Sequence, residues 1–162
     1  VKPGDVVAAV VGDGAVGLCA IIAAKRLGAT DIVEERGEDA VAVIMMLTDG
    51  IGVDAALECF GTDQSIETCV GIARAGGMTG AAGVPTYKNF KYQSIFWKNV
   101  GIRGGVAPAR QYIPELLEDV LAGKINPGLV FDLIVELKDV KQAYVAMDER
   151  CAIKSLLKVS EV

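Results

Sequence analysis

Gly12-Asp13-Gly14-Ala15-Val16-Gly17 sets three glycines at G-x-G-x-x-G spacing, between an apolar run and a helix-forming one. That arrangement lets main-chain amides meet a diphosphate. Gly12 permits a sharp turn off a strand. Gly14 has no Cβ, so a phosphate can approach the backbone, and Gly17 lets the helix lie close to a sheet. The helix start then offers unpaired N–H groups and a partial positive charge. No Lys follows in the G-x-x-x-x-G-K-[ST] pattern, which disfavours nucleoside triphosphate hydrolysis. The alternative is a glycine-rich turn that holds nothing. A dinucleotide would also need an acid for its ribose at the end of the next strand. Glu34 and Glu35 stand there, and Glu35 comes 18 positions after Gly17, near the ~20 expected. The alternative for both is a solvated loop charge, or a place in the first turn of the next helix.

Other chemistry is thinly supplied. There is no histidine, the commonest general base and metal ligand near neutral pH. The four cysteines (Cys19, Cys59, Cys69 and Cys151) form no C-x-x-C pair, so a zinc site is not expected. They read as buried free thiols in a reducing compartment, the cytoplasm. Asp54 and Glu58 lie in or beside an apolar strand. With no His or metal near them, Asp54 reads as a strand-start residue and Glu58 as a partly buried, hydrogen-bonded group.

The elements that must position these residues alternate along the chain. Val6–Val11 is a strand covered on both faces, and Ala15–Leu27 a helix closed by Gly28. Thr30–Val33 reads as a short strand and Asp39–Leu47 as a helix ended by Asp49-Gly50. Val53–Cys59 is a strand, followed by a helix from Thr62 or Asp63 to about Ala73. Arg74–Gly77 reads as a turn and Met78–Val84 as a small-residue strand. Tyr87–Lys98 is irregular or weakly helical and holds the only tryptophan, Trp97. Val100–Val106 (strand) and Ala109–Ala122 (helix) follow. Leu133–Val135 (strand), Val140–Met147 (helix, N-cap Asp139) and Ile153–Val159 (strand) complete the chain. Such alternation predicts an α/β fold: a three-layer, doubly wound, mostly parallel sheet. Met45-Met46-Leu47 and Tyr144–Met147 are expected in the core. Ile153–Val159 is expected to expose an apolar patch.

The 162 residues suit one dinucleotide-binding-type domain, residues 1–162. With 52% hydrophobic and 23% charged residues the chain is globular. A net charge of −5 with scattered Lys and Arg argues against nucleic acid and anionic membranes as partners. The longest apolar stretch, Ala15–Ala24, is short of a membrane span. Neither a signal peptide nor an initiator Met is present, and Val1-Lys2-Pro3-Gly4 reads as the interior of a longer chain.

Five segments carry a family resemblance: VKPGDVVAAVVGDGAVGLCAIIAAKRLGA, DAALECFG, ARAGGMTGAAGVP, IPELLEDVLAGKINPG and INPGLVFDLIVELKDVKQAYVAMDERCAIKSLLKV. In this order they resemble the cofactor-binding half and C-terminal segment of zinc-type medium-chain alcohol dehydrogenases, over nearly the whole chain. The resemblance implies NAD or NADP as cofactor and hydride transfer between nicotinamide and an alcohol or carbonyl. It places Cys59, Phe60 and Gly61 on the adenosine side, with Gly83, Val84, Gly105 and Val106 facing the nicotinamide. Lys154 matches a basic residue that contacts pyrophosphate, the alternative being a solvated surface charge. Such relatives form homodimers through the strand at 100–106, and residues 133–162 return toward the catalytic domain. Association is therefore expected through strand 100–106 or strand 153–159.

Two departures stand out. The N-terminal lobe that supplies the zinc ligands in that family has no counterpart here, so no catalytic or metal residue is assigned and the chain is expected to be inactive alone. Also, Thr30–Gly37 follows Gly28-Ala29 directly, where relatives insert a strand, a helix and links, about twenty residues by typical element lengths. Loss of that unit changes the order 3-2-1-4-5-6 into the flavodoxin-like 2-1-3-4-5, or puts Thr30–Val33 in the old second-strand position. Either way, weakened adenosine recognition is expected. The other possibility is a non-catalytic shortened α/β module that binds phosphate or a mononucleotide, or serves as a scaffold.

Overall fold

A computed structural model of the chain describes the backbone of residues 7–10, and residues 14–29, 33 and 35–160. Four strands pair in parallel and in chain order: β1 (Val7–Val10), β2 (Val53–Glu58), β3 (Ala73–Ala81) and β4 (Gly101–Gly104). Parallel neighbours cannot be joined by a tight hairpin, so each link carries helix. Helices α1 (Ala15–Arg26) and α2 (Gly37–Leu47) separate β1 from β2, α3 (Asp63–Ile72) separates β2 from β3, and α4 (Tyr92–Lys98) separates β3 from β4. Then come α5 (Ala109–Leu121) and a 3-10 turn at Pro127–Val130. β5 (Leu133–Glu136), α6 (Val140–Asp148) and β6 (Ser155–Lys158) form a second, two-stranded parallel unit. This is the α/β, parallel-sheet architecture expected from the sequence.

The core lies between β2 and the α2–α3 pair. Ile44, Val53, Ala56, Cys69 and Ile72 cluster there, with Val33 and Val41 packed against them. Burying each large aliphatic side chain contributes about 1.5–3 kcal/mol. Two ties brace the helices. Arg26 of α1 is bridged to Glu115 and Asp119 of α5, and Lys98 of α4 donates to the Val70 and Gly71 carbonyls at the end of α3.

Most expected elements form within two residues of their predicted bounds, and the differences have physical reasons. The turn at Arg74–Gly77 is an excursion within β3: Val53 pairs with Ala73, and the ladder resumes at Ala55 with Met78. Arg74 is ion-paired to Asp54 at 2.6 Å across it. Helix in the 87–98 stretch is confined to Tyr92–Lys98. Thr30, Asp31, Ile32 and Glu34, like Gly12 and Asp13, lie outside the described residues, and Val33 belongs to no strand. The place of the expected second strand therefore also lies outside them.

Core membership needs correction at two helices. Ala40 and Ile44 form the inward face of α2 at i, i+4 spacing. Met46 falls off that face and is exposed, while Leu47 shares the face by spacing but is the last residue of α2 and is exposed as well. Ala143 is the inward residue of α6, so its neighbours Tyr144 and Val145 point outward and are exposed. The thiols need correction too. Cys59 and Cys69 are buried, but Cys19 and Cys151 are exposed. Gly17 marks the buried face of α1 and Cys19, two residues on, falls opposite, whereas Cys151 sits in the turn after α6. Ile153, Leu156 and Val159 are exposed, as expected for that strand.

Candidate functional site

Register brings four strand ends level. Val10 pairs with Glu58, Glu58 with Ala81, and Ala81 with Gly104. The strands are parallel, so their carboxyl ends form one edge, spanning roughly 14 Å at the usual strand spacing. The residues singled out in the sequence follow those ends: Gly14, Ala15, Val16 and Gly17 after β1, Cys59-Phe60-Gly61 after β2, Gly83-Val84 after β3 and Gly105-Val106 after β4. Ligands of open parallel sheets bind beyond this edge.

Gly14 is the N-cap of α1, at φ −91° and ψ 170°, with no side-chain cap and no acid in the first turn. Among the described residues the positive end of the helix thus has no neutralising side chain of its own. That backbone conformation suits any residue, and a Cβ built at Gly14 meets nothing among the described residues within 4 Å. None of the described residues requires glycine here, whereas a phosphate resting on the backbone would. Gly17 is buried, as helix packing demands.

The loops after β2 and β3 form a single unit. Gly61 has φ +95°, and a Cβ there would overlap the Val84 carbonyl; a Cβ on Gly83 would lie 2.6 Å from the Gly61 nitrogen. Two backbones touch at this point, and only glycine permits it. Glu58, fully buried, holds both loops. Its Oε1 accepts from the N–H groups of Phe60 (2.8 Å) and Gly61 (2.6 Å) and from the Ser65 hydroxyl (2.7 Å). Its Oε2 accepts from the Tyr87 hydroxyl at 3.0 Å. Its main-chain carbonyl accepts from Ala82 and Gly83. Thr86 donates to the Gly61 carbonyl through both N–H and hydroxyl, and Asp63 accepts from the N–H groups of Lys88 and Asn89. Burial pushes the Glu58 carboxyl up, but the bonds from Gly61, Ser65, Phe60 and Tyr87 outweigh it and leave the pKa below the ordinary glutamate value. Burial first, and then the bond to Glu58, push the Tyr87 phenol up to about 12.

Other predicted residues stand apart. Lys154 is exposed on the two-stranded unit, where its N–H and that of Ile153 donate to Asp132. Glu35 is an exposed loop residue just before Arg36, the N-cap of α2. Phe60, Val84 and Val106 are exposed, and Cys59 is buried. Burial raises the Cys59 thiol to about 11, so it is no nucleophile at neutral pH.

Sequence reasoning missed Ser65, Thr86 and Tyr87. Ser65 had a local signal, since Thr62-x-x-Ser65 closes a capping box at the start of α3. Tyr87 reaches Glu58 across 29 residues of chain and had none. Among the described residues no group of three His, Cys, Asp or Glu is placed to hold a metal ion.

A parallel sheet whose first strand feeds an uncapped, glycine-led helix at the carboxyl edge defines a Rossmann-like nucleotide-binding domain. The sequence profile of a family described as zinc-binding dehydrogenase matches residues 15–122, two thirds of the chain. The chain belongs to that family. It is similar to the uncharacterized zinc-type alcohol dehydrogenase-like protein AdhB of Bacillus subtilis, with 29% identity over 203 residues that cover 98% of this chain and 53% of AdhB. That stretch exceeds the 162 residues here, so AdhB carries internal residues that this chain lacks. Among solved structures, the alcohol dehydrogenase TADH of Thermus sp. ATN1 superposes with a TM-score of 0.82 at 30% identity, covering 99% of this chain and 54% of TADH. The benzyl alcohol dehydrogenase of Acinetobacter calcoaceticus superposes with a TM-score of 0.79 at 28% identity, covering 99% of this chain and 51% of that one. The chain spans about half the length of these relatives.

Proposed function

We propose that this chain is the NAD(P)-binding part of a zinc-dependent alcohol dehydrogenase. The observation that carries the reading is the level row of four strand ends with the uncapped N-terminus of α1 beside it. Gly14–Gly17 would hold the diphosphate by main-chain N–H groups. Phe60 and Gly61 would line the adenosine side, and Gly83-Val84 and Gly105-Val106 the nicotinamide side. When bound, the nicotinamide supplies hydride transfer to or from an alcohol or carbonyl carbon. The chain's own task is to bind and orient the dinucleotide. The donor set described here does not fit a zinc ion, so no step is assigned to one.

Three finer statements belong to the same proposal. Dinucleotide binding is weaker than in longer relatives, because the strand-helix unit that they insert after Gly28-Ala29, next to the adenosine side, is missing. The chain alone oxidises no alcohol, a claim that zinc-dependent turnover by the purified protein would overturn. It associates through the outer strand β4, where Ile102 is exposed, or through β6. Thermal shift with NAD, NADP, AMP and FMN tests the main reading. A larger shift with the dinucleotides supports it, and equal response to all four favours a general phosphate-binding module.

A further inference from the structure

Glu58 is an ionised side chain placed wholly out of water, which is unfavourable unless its lone pairs are matched. Four donors match them, and they come from three separate pieces of chain: the loop after β2, the first turn of α3 and the segment after β3. A residue with one acceptor would cap the turn after β2 equally well. The second oxygen reaches Tyr87 and adds a side-chain clasp on the next loop to the bonds that Ala82, Gly83 and Thr86 already make across it. All four donors lie beyond the carboxyl end of β2, and none belongs to the core cluster around Ile44 and Ile72. The network therefore fixes the sheet edge rather than the packing beneath it. The outward groups it sets in place are Phe60 and Val84, 43% and 79% exposed.

We propose that Glu58, acting through Tyr87, is a positioning residue for the dinucleotide: one carboxylate locks the loops after β2 and β3 into a single binding surface. This rests on the reading of that edge as the dinucleotide site. Glu58→Gln keeps an acceptor for Phe60, Gly61 and Ser65 and turns an amide donor toward the Tyr87 oxygen, so the loops stay joined. Glu58→Met removes the carboxylate clasp and leaves the main-chain bonds between the loops. Tyr87→Phe removes only the reach to the second loop.

The test measures NAD affinity by calorimetry well below each variant's melting temperature, with amide chemical shifts as a second readout. E58Q should bind within about twofold of the parent protein. Y87F and E58M should bind roughly five- to tenfold more weakly, the scale of one ordinary lost hydrogen bond. In Y87F the ligand-free amides of Gly83 and Val84 should move while those of Phe60 and Gly61 hold. Unchanged affinity in Y87F, whatever happens to its melting temperature, would reduce Glu58 to a fold staple and overturn the proposal. Should E58M fail to fold, Y87F and E58Q decide. If the parent protein itself binds no NAD, the site reading fails and this inference with it, an outcome distinct from equal binding by parent and variants.

Discussion

Gly14 and Gly61 are glycines for opposite reasons, and mutation separates them. Gly61 is demanded by the fold, with a positive φ and the Val84 carbonyl where a Cβ would go. Gly61→Ala should cost about 2–4 kcal/mol of stability in urea unfolding. Gly14 has an ordinary φ, and a Cβ there meets none of the described residues. Gly14→Ala should change stability by no more than about 1 kcal/mol, the gain through the unfolded chain opposing the loss of a preferred N-cap residue, while NAD affinity falls at least about tenfold because a methyl group enters the phosphate's place. Loss of stability with affinity intact would contradict the account at this residue. Acid should act on the same edge. The folded-state pKa of Glu58 lies below its unfolded value, so its stabilisation is complete above the ordinary value of about 4.3 and is lost as pH falls through the depressed one. Asp63, held chiefly by the Asn89 N–H, shifts the same way. Unfolding free energy should therefore rise with pH across the acid range, and E58Q should flatten that slope.

Among the elements, legibility followed the range of the forces. β1 and α1 were readable because an unbroken apolar run and a glycine-led helix each encode their environment locally. The N-terminus of α3 was readable from Thr62, whose hydroxyl accepts from the Ser65 N–H. The Arg74–Gly77 excursion was seen as a turn, but its continuation within β3 depends on pairing to Val53 and Asp54, which no local pattern reveals. Met46 and Tyr144 were misplaced because composition alone does not say which helix face is covered. At the site, strand-end positions were legible from parallel topology, and the clasp between two loops was not, since Tyr87 is distant in sequence from Glu58. Ile72, fully buried at the end of α3, joins α3 to β2. Ile72→Ala should cost about 2–5 kcal/mol, and a loss under about 1 kcal/mol in denaturant unfolding would show that the core is centred elsewhere.

At the level of the whole molecule, β4 has no further strand beside it among the described residues, and its Ile102 is exposed close in sequence to the edge-to-face pair Phe96 and Trp97. An unpaired apolar strand edge favours pairing with another chain. If copies associate there, Ile102→Lys should leave a monomer by light scattering, and Trp97 emission in the parent protein should shift to shorter wavelength with concentration. Concentration-independent emission and a monomeric parent would remove that surface. The shortened order of elements leaves β1 to β4 intact and level, and this row is what the functional reading requires.

Amide chemical-shift mapping during titration with NAD tests that reading most directly. The account predicts saturable changes gathered at residues 14–17, 59–61, 83–84 and 105–106, along one edge of one sheet. Changes confined to β5, α6 and β6, or no change at millimolar NAD, would contradict it.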